Sequence, residues 1–324
     1  MTPYLRAGLA GTVFTFGALL AVVGIARHND DTDPATATTP RGPYVALGDS
    51  YTAGPRIPDQ TGSPAGCDRS NRNYPALVAA ELGLQVADFR DMSCSAATVV
   101  DLLAPQSTDN GTNPAQMSAL SSETRLVTIG IGGNDIGFSG VIAECVKAGL
   151  AGRVTGSGTS VGNDAPCRDR YVTGDGDEVK QRIDSAGRRI SEALDEVKRR
   201  AAQARVYVVG YPALLPSQGA GCDDDMPLAP GDATYLDEKE QQLNAMLLQR
   251  AEAAEVGYVD TYKPSVGFDA CRDRATRWVE PLLPRLPAAP MHPNERGERG
   301  MADAVLRAVR ASGEQRWHVP PLTR

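Results

Sequence analysis

Short, unbroken apolar runs recur along the chain at residues 44–48 (YVALG), 126–131 (LVTIGI), 205–210 (RVYVVG) and 256–260 (VGYVD), with a weaker run at 85–90. Continuous rather than alternating apolar character suits strands buried on both faces. Between them, apolar positions fall at helical spacing over residues 74–82, 179–204, 234–255 and 294–311. Strand and helix in alternation predict a parallel sheet covered by helices on both sides. Such a sheet gathers its functional loops beyond the carboxyl ends of its strands.

A different pattern opens the chain. Residues 7–26 (AGLAGTVFTFGALLAVVGIA) carry no charge, Arg6 precedes them, and Arg27, Asp30, Asp31 and Asp33 follow. A basic start, an apolar stretch and small residues at Gly24 and Ala26 describe a secretory signal. The run is also just long enough, at about 20 residues, for a membrane anchor. Both readings stay open, with cleavage favoured, and both put the remaining chain outside the cytoplasm. The expected organisation is a signal or anchor at 1–27, a Thr/Pro/Asp-rich linker at 28–43, one domain at 44–311 and a tail at 312–324.

The net charge of -7 gives no reason to expect nucleic acid as a partner. The six cysteines, Cys67, Cys94, Cys145, Cys167, Cys222 and Cys271, all lie in the exported part and form no CxxC pair. An even number there predicts disulfides, though not which ones. Only three histidines exist, and the cysteines are far apart, so neither zinc nor another metal is expected.

Three motifs fall at predicted strand ends or helix starts: GDSYTAG at 48–54, GIGGND at 130–135 and PMHPN at 290–294. A serine becomes a nucleophile when a base takes its proton. Ser50 is the candidate nucleophile, and His292 is the histidine that lies inside the domain, since His28 is in the linker and His318 in the tail. The Asn134 side-chain amide can donate to a developing oxyanion. Singly, each motif has a plainer explanation as a turn or helix cap. Asp49 and Asp135 are expected to be structural.

In this order, the motifs resemble those of the SGNH (GDSL) hydrolases, over about residues 44–311. The chain looks most like the actinobacterial secreted esterases and lipases with six cysteines. The resemblance implies a three-layer α/β/α, flavodoxin-like domain that cleaves carboxylic esters without a cofactor. Ser50 would be nucleophile and His292 base. The oxyanion hole would use the Ser50 N–H, the Asn134 amide and an N–H from a second motif, here SCSAAT at 93–98. It also implies the pairings Cys67 with Cys94, Cys145 with Cys167, and Cys222 with Cys271.

Two positions depart from the family. Ala96 stands where it has glycine, although an alanine N–H can still donate if its backbone angles suit. Ala289 stands where many members have the triad aspartate. The Ala289 carbonyl is therefore expected to orient the His292 Nδ1 proton, with Asp260 and Glu280 as more distant carboxylate candidates. Ile57, Ile136, Phe138 and Met291, beside the motifs, favour an acyl chain and hence a small-molecule or lipid ester substrate. The alternatives are a carbohydrate O-deacetylase and a non-catalytic envelope-binding protein. A monomer is expected, with membrane association through residues 7–26 if these are retained.

Overall fold

A computed structural model describes residues 42–154, 164–216 and 225–314. The chain divides into a unit of residues 1–35, outside the described residues, and a compact unit of residues 36–324. The expected signal or anchor, nearly all of the linker, Cys222 and the tail beyond Glu314 therefore lie outside the described residues, while residues 312–314 of the expected tail continue the last helix. Among the described residues, no helix is long and apolar enough to cross a membrane.

The central sheet contains β1 (Tyr44–Gly48), β2 (Phe89–Asp91), β3 (Leu126–Gly130), β4 (Arg205–Val209) and β5 (Gly257–Val259). Its spatial order is β2-β1-β3-β4-β5. Every pairing is parallel, with Tyr44 opposite both Phe89 and Leu126, and Tyr207 opposite Gly257. This is the flavodoxin-like order, whose switch point lies between β1 and β3.

The helices in chain order are α1 (Ser50–Ala53), α2 (Tyr74–Glu81), α3 (Val99–Leu103), α4 (Phe138–Val154), α5 (Arg168–Tyr171), α6 (Glu178–Arg200), α7 (Pro230–Ala253), α8 (Tyr262–Ser265) and α9 (Glu295–Glu314). Strand side chains alternate between two buried layers. Val45, Leu47, Val127, Val206 and Val208 pack with Leu102 of α3, Ile142 of α4, Leu194 of α6 and Leu243 of α7. Tyr44, Ala46, Tyr207 and Val209 pack on the other face with Val78 of α2 and Val305 of α9. The result is the expected three-layer α/β/α sandwich.

The sequence pattern misplaces two elements. Residues 86–88 form a 3-10 turn, and the strand begins only at Phe89. The edge position leaves Arg90 exposed, so the run lacks the two-sided burial that marks the other strands. Helix α4 has no predicted counterpart. Its buried positions, 141, 142, 145, 146, 148 and 149, share one face, but exposed Leu150 and Ala151 on the opposite face blur the apolar stripe.

Two of the three expected disulfides lie within the described residues: Cys67 with Cys94, and Cys145 with Cys167. The third involves Cys222, which lies outside them.

Candidate active site

The Ser50 loop forms because β1 ends against its neighbours. Buried Gln116 donates to the Gly48 carbonyl and accepts the Gly48 N–H, at 2.9 and 2.8 Å. Asp49 then caps α1, its carboxylate accepting the Tyr51 N–H at 2.9 Å. Helix α1 stops after one turn at Gly54, whose φ of 71° is left-handed. Ser50 is thereby held half-buried at the first position of α1, facing the switch point.

The loop after β3 approaches from beside it. Gly132 has a φ of 124°, a conformation that side chains rarely adopt. The Asn134 side-chain amide donates to the Ala97 carbonyl at 2.9 Å, which orients it and leaves its second hydrogen free to donate. Asp135 caps a different helix from the one that follows it. It accepts the Val99 N–H at 3.0 Å at the start of α3 and pairs with Arg189 of α6.

The loop after β2 is tied to both neighbours. Its Cys94 N–H donates to Gly48 O at 3.0 Å, and its Ala97 carbonyl holds Asn134. The Cys67 bridge holds it from the third direction. Ala96 is exposed in this loop with φ 63°. That is the left-handed region, which suits the glycine that the resemblance implies there and gives alanine strain of roughly 1 kcal/mol. No acceptor among the described residues takes the Ala96 N–H.

His292 arrives from the far end of the chain. Its carbonyl accepts the Glu280 N–H at 2.9 Å, and Pro293 bridges to Val279. The ring Nε2 lies 2.7 Å from Ser50 Oγ. Nδ1 pairs with the Pro290 carbonyl at 2.7 Å, not with that of Ala289. The turn explains this correction. Ala289 O already accepts the His292 backbone N–H at 3.3 Å, and Met291 has φ 59°. Pro at the second position and a left-handed third residue fit a type II turn. Such a turn ties up its first carbonyl and turns the middle one, that of Pro290, outward.

Neither candidate carboxylate meets the ring. Glu280 is fully buried but paired with Arg277 and Asn294, at 2.6 and 2.8 Å, and Asp260 accepts from Lys263. Burial pushes His292 below its ordinary value, and Arg56 pushes the same way, while the Pro290 carbonyl opposes them. The neutral ring is thus favoured, and with Nδ1–H on Pro290 its Nε2 faces the serine as an acceptor.

Tyrosines brace this arrangement, and the motifs alone did not show them. The Tyr51 hydroxyl donates to Met291 O at 2.5 Å, and its ring lies 4.9 Å from that of His292. Tyr211, just after β4, accepts the Gly133 N–H at 2.8 Å and donates to Asp49 at 2.5 Å. Its place after a strand was a usable signal, because three other strand ends already carried motifs.

A pocket of about 450 Å³, counting its open mouth, begins at Ser50 and Asn134 and is lined by Phe138, Ile142, Leu243 and Met291. Ile57 and Ile136, expected beside it, are instead fully buried core. Cys145, Cys167 and Asp232 gather like metal ligands, but both sulfurs are spent in a disulfide.

Residues 46–299 match the model of the GDSL-like Lipase/Acylhydrolase family. The chain is 38% identical to Lipase 2 of Streptomyces coelicolor, over 87% of this chain and 89% of that protein. It is similar in structure to a phospholipase A1 from Streptomyces albidoflavus, with 27% identity, a TM-score of 0.66, and coverage of 82% of this chain and 99% of that one. The extracellular lipase of Streptomyces rimosus gives 26% identity, a TM-score of 0.65, and coverage of 83% and 100%.

Proposed function

The chain belongs to the GDSL-like lipase/acylhydrolase family and is a carboxylic ester hydrolase, and from that premise we propose that it cleaves lipid-type esters outside the cytoplasm through an acyl-enzyme on Ser50. The 2.7 Å contact between His292 Nε2 and Ser50 Oγ carries this reading. His292 takes the serine proton as Oγ attacks the ester carbonyl. The Ser50 and Ala96 N–H groups and the Asn134 amide receive the oxyanion. The imidazolium then protonates the departing alcohol, and water releases the acid by the same steps with the roles exchanged.

The Pro290 carbonyl at Nδ1, with no carboxylate against the ring among the described residues, supports a dyad. A carbonyl fixes the tautomer but carries no full charge to stabilise imidazolium. The apolar lining by Phe138, Ile142, Leu243 and Met291 supports an acyl chain over a bare acetyl group. The resemblance to proteins named as lipases and as a phospholipase A1 supports the same substrate class. Two disulfides support an oxidising compartment.

A fluorophosphonate should label the folded protein, and Ser50→Ala should abolish labelling. His292→Ala should lower kcat on p-nitrophenyl esters by at least about 10,000-fold. Labelling of Ser50→Ala, or near-normal turnover by His292→Ala, would overturn the assignment.

A further inference from the structure

One group in the Ser50 pocket has no part in the chemistry above. Glu240 of α7 borders the cavity together with Leu243 and Tyr211, and it is 2% exposed. Its Oε2 accepts the Leu214 N–H at 3.0 Å. Among the described residues nothing else takes its carboxyl, and no cation pairs with it. A structural carboxylate buried this deeply is normally matched to a positive charge or several donors. Glu280 shows that pattern in this same protein, with Arg277, Asn294 and the Arg285 N–H around it. Glu240 does not.

Burial raises the Glu240 carboxyl well above the ordinary range. The Leu214 N–H opposes this, while the neighbouring Asp237 and Asp269 add to it. This shifts the balance towards the acid form, which carries an O–H donor as well as an acceptor on a residue of the cavity wall. A plain alkyl chain filling the pocket would displace water from this carboxyl and return no hydrogen bond. A chain bearing a hydroxyl would return one.

Resting on the Ser50 hydrolase reading, we infer that Glu240 sets acyl selectivity by hydrogen-bonding a polar substituent, a hydroxyl or its equivalent, on the substrate's acyl chain. Its role is recognition of the chain rather than bond breaking.

The test compares kcat/KM for p-nitrophenyl octanoate with that for its monohydroxylated isomers, the hydroxyl being placed at each chain carbon in turn. Wild type, Glu240→Gln and Glu240→Leu are measured side by side, and fluorophosphonate labelling reports an intact site. Relative to Glu240→Leu, wild type should prefer at least one hydroxylated isomer by about tenfold, and Glu240→Gln should keep most of that preference. If Glu240→Leu does not label, alkaline hydrolysis rates of the same esters replace it as the reference. Hydrolysis of every isomer with no preference over the reference would overturn the inference and leave the hydrolase reading standing. Failure of folded wild type to cleave any of the esters would overturn both.

Discussion

Ala96 and Ala289 are the single residues at which this chain departs from the pattern it resembles, and the second leaves His292 to be oriented by the Pro290 carbonyl. His292 lies below its ordinary titration range because it is buried, with Arg56 adding to the effect. The proposed base works in its neutral form, so the acid limb of kcat/KM should fall below pH 6.5, the ordinary histidine value. Arg56→Gln removes a positive charge, which makes imidazolium easier to form. It should shift that limb towards higher pH, and a pH–rate profile at low salt reads the shift directly. An unmoved limb would remove Arg56 from the electrostatics of the site. The proposed roles of Ser50, His292 and Asn134 were legible because that chemistry demands those side chains and few others were available. The partner of Nδ1 was not, because a backbone carbonyl has no signature in residue type. Glu240 was equally invisible, as one acid among many on a helix until the fold placed it against the pocket.

At the level of elements, turns and crosslinks decide where these residues point. The turn from Ala289 to His292 aims the Pro290 carbonyl at the ring, which requires a left-handed Met291. The dipeptide Pro290–Met291 did not announce such a turn, because its third position usually calls for glycine or asparagine. The Cys67–Cys94 bridge closes a loop over a separation of 27 residues and holds the segment that bears Ala96. Removing both cysteines as Cys67→Ala/Cys94→Ala should cost about 3 kcal/mol of stability in urea unfolding. It should also lower kcat on p-nitrophenyl butyrate by about tenfold or more with little change in KM, since loosening the proposed oxyanion donor Ala96 acts on the transition state. A loss of the whole predicted amount, about 3 kcal/mol, with kcat intact would show that the loop keeps its place without the bridge. Strands β1, β3 and β4 were readable because burial on both faces demands continuous apolar sequence. Edge strand β2 lacks the two-sided burial behind such runs, and α4 carries apolar residues such as Leu150 on its exposed face, so neither has a clean pattern.

Across the whole molecule, Asp49 joins three strand ends. It follows β1, caps α1 and accepts from Tyr211 after β4, which in turn accepts the Gly133 N–H after β3. Burial pushes its carboxyl up to about 7, against the hydrogen bonds of Tyr211 and Tyr51. A folded value above the unfolded 3.8 contributes stability that is fully present at lower pH and is lost as pH rises through about 7. Asp49→Asn cannot titrate. Its stability deficit relative to wild type should therefore shrink between about pH 4 and pH 7, as read from urea midpoints. A constant deficit across that window would mean that Asp49 does not titrate there. Sequence by itself determined the alternation of strand and helix, the three motifs and the pairing of Ser50 with His292, because burial and chemistry each restrict residue type at single positions. Only the tertiary structure decided the strand order that brings those motifs to one switch point. It alone decided the turn that substitutes Pro290 for Ala289, and the seat of Glu240 in the Ser50 pocket. These are relations between backbone directions and distant segments, and no residue carries them in its own identity.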